Sequence, residues 1–410
     1  MHLTPTNHHF AKATDQALCR EYFAEGFGDM ASGVDWDKFR VSKAFPHKKG
    51  GFALQYEAPL FSGGIFHIGG HLVTDPKIKP EWAGLKPGTV WLSELGLALA
   101  TPASDPKLGS VFDITHGLCG RELAEGLGWS ADSVDLTSIL AFRLAKRCVV
   151  LMENTGDGSR VVIKLARTRS VKAMAKAARL VAASGLPVPP LLWQSPADRF
   201  VAMGFVQGQG LENITGANGI EGHRATGGLL RQLHGSQLAV QGVRTARDEL
   251  NQLGLWVPVA ATLFPELAEE TGFCLRALES KIPDPPARLT TIHRDFYDKQ
   301  VMVHDSQVVL LDFDTLTLGD PNLDLGNFLA HVRLRRLQYP ARRETLARAG
   351  EKFLTGYGSL PSGLEDLAWW QTAALLRLVV VYSLRPSWQH LVSRLLEEVH
   401  ICLHAPKCPL

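Results

Sequence analysis

The sequence predicts an α+β protein with a small strand-rich lobe, a larger helical lobe and a further N-terminal domain. Three observations lead there. Three apolar, strand-like runs follow one another at Ile139–Arg143, Cys148–Met152 and Arg160–Leu165, with the turn Asn154-Thr155-Gly156-Asp157-Gly158 between the last two. Past about Gly208 the apolar spacing becomes helical and stays so nearly to the end. The 410 residues also exceed one ordinary core, so two or three domains are expected.

From the start, apolar residues at helical spacing (Ala17, Leu18, Tyr22, Phe23, Phe27) predict a helix over about Ala13–Met30. Phe52–Tyr56 and Ile65–Leu72, joined through Pro59 and Gly63-Gly64, read as a hairpin, and Thr89–Leu99 adds a strand or a short helix. The glycine pairs at 63–64 and 69–70 do not form a phosphate-binding P-loop, because no Lys and Ser/Thr follow them into a helix. His67 and His71 have no carboxylate or Cys at ligand spacing and read as partly buried strand residues. A Pro/Asp/Gly-rich passage, Thr101–Ser110, marks a boundary, so a chain starting near Ser130 is expected to fold by itself. Leu118–Leu127 reads as a short helix, and after the three strands Ser170–Ser184 is an Ala-rich helix. Later helices are expected at Gly227–His234, Pro265–Leu278, Leu329–Leu337, Arg342–Tyr357, Leu364–Leu384 and Trp388–Leu403.

Composition narrows the function. With 43 basic against 41 acidic residues the net charge is +2, which makes neither nucleic acid nor an anionic membrane an obligatory partner. The Arg-rich stretch 333–352 reads as a solvated helix face. Six scattered cysteines read as reduced intracellular thiols; His400, Cys402, His404 and Cys408 form the one cluster of metal-capable types, without a paired C-x-x-C. The N-terminus has no secretory pattern, and the apolar run Leu375–Tyr382 is far below the ~20 residues needed to span a bilayer, so a cytoplasmic location is expected.

The chemistry is concentrated in Thr291–Phe328. An apolar lead-in runs into His293-Arg294-Asp295, Gln300 follows five residues after Asp295, and the apolar strand Val308–Leu311 delivers Asp312-Phe313-Asp314. Phosphoryl transfer asks for such groups: a carboxylate to orient the attacking hydroxyl and take its proton, and oxygen ligands to hold Mg²⁺ against nucleotide phosphates. Protein kinases use an H-R-D-x-x-x-x-N loop and a D-F-G turn in this order. Gly319-Asp320-Pro321-Asn322-Leu323-Asp324-Leu325 completes a pattern that resembles the aminoglycoside phosphotransferase and choline kinase-like family of small-molecule kinases.

That resemblance implies a protein kinase-like two-lobe fold with an additional N-terminal α/β domain, divided near 1–115, 134–207 and 208–402. It implies ATP, or GTP, as donor, Mg²⁺ as cofactor, and a hydroxyl of an aminoglycoside-, amino alcohol- or sugar-like molecule as acceptor. Asp295 would be the catalytic carboxylate, Gln300 and Asp312 the metal ligands, and His293 and Asp324 supports of the loop. Lys164, in the strand Val161-Val162-Ile163-Lys164-Leu165, would meet the phosphates, and the backbone at Gly204, Phe205 and Val206 the base. Gly185-Leu186-Pro187-Val188-Pro189 and the Leu-His ending at Leu233-His234 also match family pieces, with His234 read as a packing or capping residue.

Three departures support an alternative, a pseudokinase that binds nucleotide without turnover. Gln300 stands where Asn is usual, no acidic residue lies between Lys164 and Asp198, and the first strand turn, Arg143-Leu144-Ala145-Lys146-Arg147, has no glycine for a close phosphate flap. Lys146 or Arg147 could meet phosphate instead.

Overall fold

The computed structural model describes residues 7–46, 51–115, 120–195, 197, 199–305, 307–361 and 363–404. Cys119, Cys408 and the expected helix start at Leu118 lie outside them. The chain forms two compact units: Met1–Ala175 with Leu191–Phe205 and Leu384–Ser387, and Lys176–Pro190 with Val206–Ser383 and Trp388–Leu410.

The first unit opens with helices α1 (Asn7–Thr14) and α2 (Gln16–Phe27), the break between them made by Asp15, whose side chain caps α2 through the Leu18 amide. Strands β1 (Arg40–Pro46), β2 (Phe52–Pro59), β3 (Ile65–Leu72), β4 (Thr89–Leu92) and β5 (Leu97–Ala100) form an antiparallel sheet in the order β1-β2-β3-β5-β4. Short helices α3 (Ser110–Thr115) and α4 (Gly120–Leu127) follow. Then β6 (Val134–Arg143), β7 (Arg147–Asn154), β8 (Arg160–Ala166), helix α5 (Thr168–Ala183), β9 (Leu191–Ser195) and β10 (Phe200–Gly204) build a second antiparallel sheet, ordered β6-β7-β8-β10-β9. The two sheets share one strand order: a meander of three, then a pair entered from its far strand.

Both sheets belong to one core. Ala100, Leu108, Val111 and Leu123 pack in the same cluster as Phe142, Val150, Ile163 and Phe200. Gln55 donates to the carbonyl of Phe142, and His67 Nε2 bonds to that of Ile139 (3.0 Å). His67 is thus a buried strand residue whose ring is lowered in pKa, chiefly by burial. Ala145 holds a left-handed φ of 58° in the glycine-free turn, where its amide donates to Asp105 Oδ2 (2.6 Å). Asp105 is itself buried and its other oxygen takes the Lys107 and Leu108 amides. A chain starting at Ser130 loses this packing. With each buried Leu or Phe worth ~1.5–3 kcal/mol against a total stability of ~5–15, such a fragment is expected to aggregate or melt well below the full chain. Equal melting temperatures would show the N-terminal sheet to be dispensable and favour a separate domain over residues 1–115.

In the second unit, β11 (Gln209–Gly210) leads into α6 (Gly216–Gly235), and β12 (Val243–Arg244) into α7 (Ala246–Leu263) and α8 (Ala268–Ser280). Next come β13 (Thr290–Ile292), β14 (Val301–His304), β15 (Gln307–Leu310) and β16 (Thr317–Gly319), then α9 (Asn322–Gln338), α10 (Arg343–Tyr357), α11 (Leu364–Ser383) and α12 (Val392–His404). Two small sheets, β11-β14-β15 and β12-β16-β13, carry the loops of interest over a helical core containing Leu250, Leu334, Leu375 and Leu395. Helices α6 and α10 approach backbone to backbone: a Cβ on Gly227 would lie 2.0 Å from Phe353 O, and one on Gly356 1.9 Å from Arg224 O. Trp369 and Trp370 fill the interior and donate their indole N–H groups to Leu278 O (2.9 Å) and Asp320 Oδ2 (3.0 Å).

The reading of residues 333–352 as a solvated face needs correction. Arg333 and Arg335 are buried on α9, paired with Glu398 and Asp298. A guanidinium can be buried where a carboxylate from elsewhere in the chain neutralises it, and a run of charges does not reveal such partners.

Candidate active site

The site begins where β13 ends. His293 and Phe296 are fully buried, Arg294 is half-buried and Asp295 is exposed, so the loop roots itself through its neighbours and presents Asp295. Arg294 has a left-handed φ of 73° and Asp312 one of 51°. Non-glycine residues in this region cost of order 1–3 kcal/mol and persist only where the surroundings over-determine them.

For Arg294 the determinant is Asp324 on the first turn of α9. Its Oδ2 accepts from the His293 amide (2.6 Å) and its Oδ1 from the Arg294 amide (2.8 Å). Asp324 is fully buried and is itself held by His234 Nε2 (3.1 Å), whose Nδ1 lies 2.9 Å from the Tyr357 hydroxyl. Burial first, and the charge of Asp324 next, push Tyr357 up to about 12, so its hydroxyl keeps the proton it donates to Nδ1. A carboxylate only accepts, which fixes Nε2 as the donor. The sequence reading left His234 as a packing or capping residue; it is a positioning residue for Asp324, and only the fold brings the two together across 90 positions.

The same loop is tied to the turn that carries Asp312. His293 Nε2 donates to Leu311 O (3.0 Å), Thr315 Oγ1 donates to His293 O (2.8 Å), and the Leu311 amide donates to Gln300 O (2.8 Å). Gln300 closes a 3₁₀ turn, Asp298–Gln300, anchored by the Asp298–Arg335 pair (Nε to Oδ2 2.6 Å, Nη2 to Oδ1 3.1 Å). Burial would lower the Arg335 guanidinium, but the charge and hydrogen bonds of Asp298 outweigh it and raise it. Asn327 Nδ2 adds a bond to Phe296 O (2.9 Å) and is held in turn by Arg377 (2.6 Å). The Leu310 amide donates to Pro187 O (2.8 Å), fastening the Gly185–Pro189 connection to β15.

Five of the residues singled out from sequence, His293, Asp295, Gln300, Asp312 and Asp324, are therefore carried by one hydrogen-bonded framework in the second unit. Val206 belongs to that unit too; Lys164, Gly204 and Phe205 belong to the first. Lys164 lies on β8, the central strand of its sheet, opposite Val149 and Val201, so it is not an edge residue. Phe205 packs under the Arg160 guanidinium, 4.8 Å from ring centre to Cζ. Gly208 takes φ +120° with a would-be Cβ 2.3 Å from Val303 O, a conformation and approach open to glycine alone.

The two residues expected to ligate a metal, Gln300 and Asp312, both carry oxygen donors of the kind a hard cation takes. Gln300 is 8% exposed, and among the described residues its carboxamide has no hydrogen-bond partner, so its oxygen is open to a ligand. Among the described residues no group of three or more His, Cys, Asp or Glu side chains could hold a metal, including around His400, Cys402 and His404. An ion held by one carboxylate and one amide oxygen, and otherwise by phosphates and water, is the Mg²⁺ pattern. Among the described residues no helix is long and apolar enough to cross a membrane.

Comparison with known proteins bears on the fold and the family. Two solved structures share the protein kinase-like fold. One is an amicoumacin kinase in complex with AMP-PNP, Ca²⁺ and Ami (14% identity, 71% of this chain and 94% of that one, TM-score 0.51). The other is a choline kinase from Cryptosporidium parvum Iowa II (10% identity, 71% and 95%, TM-score 0.51). No curated protein matches the chain. A family model described as the phosphotransferase enzyme family matches residues 149–370, a span that holds Lys164, Asp295, Asp312 and Asp324 with its partners His234, His293 and Arg294. Covering more than half of its length, that match shows that the chain belongs to the phosphotransferase enzyme family.

Proposed function

We propose that this small-molecule phosphotransferase moves the γ-phosphoryl group of ATP, or of GTP, to a hydroxyl of a small molecule. The observation that carries the reading is the framework through Asp324 and His293, which holds the Asp295 loop and the Asp312 turn in one register. Asp295, exposed on its loop, orients the acceptor hydroxyl and takes its proton as the oxygen attacks. Asp312 and Gln300 would hold Mg²⁺ through a carboxylate and a carboxamide oxygen. When bound, that ion neutralises charge on the nucleotide phosphates. Lys164 supplies a further cation for those phosphates, and the backbone of Gly204, Phe205 and Val206 meets the edge of the base. His293 and Asp324 do no chemistry but fix where Asp295 stands.

The test is a thermal-shift titration with Mg²⁺ and ATP, followed by ADP release over aminoglycosides, amino alcohols, sugars and nucleosides. A ligand that binds only the native state at 100 times its Kd stabilises it by about 2.7 kcal/mol. A clear metal-dependent rise in Tm with acceptor-dependent ADP release is expected. A chain unmoved by millimolar nucleotide and metal does not act this way; one that binds nucleotide but phosphorylates no acceptor is a pseudokinase.

A further inference from the structure

Beside the loop of Asp295 the second unit has a pocket of about 400 Å³, lined by Arg244, Asp248, Arg294, Asp314, Thr315 and Thr317 among others. Its charged groups are two arginines and two carboxylates, and they are not equally committed. Asp248 Oδ2 accepts from the Thr245 amide (2.9 Å) and hydroxyl (2.8 Å) in the capping box of α7, so that carboxylate is occupied by its own helix. Arg244 bonds through Nη2 alone to Glu249 (2.8 Å) and Gln252 (2.7 Å). Arg294 differs from all of these. Among the described residues its guanidinium has neither a hydrogen bond nor an ion pair, although it is half-buried.

A planar fork of five donors without an acceptor, partly withdrawn from water and aimed by a fixed backbone, suits a carboxylate or phosphate. The backbone is fixed, since the Arg294 amide is held by Asp324 in a left-handed conformation that a non-glycine residue adopts only under such constraint. The guanidinium is also lowered in pKa, by burial first and by the neighbouring Arg244 next, against the opposing charges of Glu249 and Asp248, and a bound anion would act in the same sense as those carboxylates. Arg294 immediately precedes Asp295, so an anion held there sits next to the carboxylate assigned to the acceptor hydroxyl.

We propose that Arg294 and Arg244 form an oxyanion subsite for the acceptor, so that the preferred substrate carries a carboxylate or phosphate near the hydroxyl that is phosphorylated. This rests on the phosphotransferase reading for the reaction, though not for the binding. Thr315 and Thr317 line the same pocket; their hydroxyls donate to His293 O and Gln241 O and so present only acceptor oxygens to the rest of such a molecule, while Asp314 disfavours a second anionic group. In the reaction the acceptor oxygen forms a bond to the γ-phosphorus, the bond to the β-bridging oxygen breaks, ADP leaves, and the hydroxyl proton goes to Asp295.

The experiment uses the full chain and matched acceptors: glycerol, glycerate and glycerol phosphate, with ethanolamine as the cationic counterpart. Wild type is expected to use the anionic members best, by roughly 10- to 100-fold in kcat/KM, as for a charge-assisted hydrogen bond gained. Arg294→Gln should erase that preference through KM, Arg294→Lys should restore part of it, and AMP-PNP affinity should not move in either. Glycerate and glycerol phosphate separate the two sources of the oxyanion. Preference for ethanolamine or glycerol in wild type, or weakened AMP-PNP binding in Arg294→Gln with acceptor KM unchanged, overturns the subsite. Inorganic phosphate at constant ionic strength gives a readout without turnover. Stabilisation of wild type and Arg294→Lys but not Arg294→Gln supports the subsite even if no acceptor is phosphorylated, whereas equal response of all three removes it.

Discussion

Asp295→Asn is expected to lower kcat by about 10²–10⁴-fold, the range for removing a positioned general base, while leaving nucleotide affinity almost unchanged. The replacement keeps the shape of the side chain and one acceptor oxygen but cannot take a proton. Asp295 is exposed, and the loop is tied down through the backbone of His293, Arg294 and Phe296. The variant should therefore melt close to wild type. Steady-state kinetics with a saturating acceptor, alongside a nucleotide titration, check both halves. Near-normal turnover would remove Asp295 from the role of base, and a collapse of nucleotide affinity would move it to the metal.

The second large effect is at Asp324. Asp324→Ala leaves two backbone amides and His234 Nε2 without their acceptor in a fully buried place. Breaking a buried charged network from one side costs about 3–5 kcal/mol. At roughly 2–4 °C per kcal/mol for a cooperative unit of about 150–250 residues, the Tm of the second unit should fall by about 6–20 °C. Activity measured below the new Tm should fall as well, because Arg294 has no reason to stay in its left-handed conformation and Asp295 loses its aim. His234→Gln, which retains a donor, should lose much less. Thermal melts with kcat at a permissive temperature test this, and an Asp324→Ala protein with wild-type Tm and kcat would show the framework to be incidental.

The fold class and the order of the motif residues are legible in the sequence. The order of carboxylates along Thr291–Phe328 is a local pattern, with short strands and loops between them. The three-strand meander and its Asn-Thr-Gly-Asp-Gly turn were equally local. What stayed hidden depends on partners far apart in the chain. Asp298, two residues from Gln300, reads as one more loop acid until Arg335 is seen to close on it. His234 reads as packing until Asp324 arrives from α9. Strand β1, Arg-Val-Ser-Lys-Ala-Phe-Pro, is hard to read because polar residues and a register shift interrupt its apolar alternation, and the strand order shared by the two halves of the first unit is a property of pairing, which apolar spacing does not encode. Helix α7 was readable, since Thr245 and Asp248 form a capping box by sequence, but Gly254 and Pro258 inside it break the helical signal.

We propose that two carboxylates of one framework do different work, Asp312 on the metal and nucleotide, Asp295 on the acceptor. Calorimetric titration of AMP-PNP, with and without Mg²⁺, into wild type, Asp295→Asn and Asp312→Asn tests it without knowledge of the acceptor. The account predicts metal-dependent binding of similar strength in wild type and Asp295→Asn, and binding weaker by about tenfold or more in Asp312→Asn, as losses around a metal commonly run. Binding that is indifferent to Mg²⁺, or equally strong in all three proteins, would contradict it.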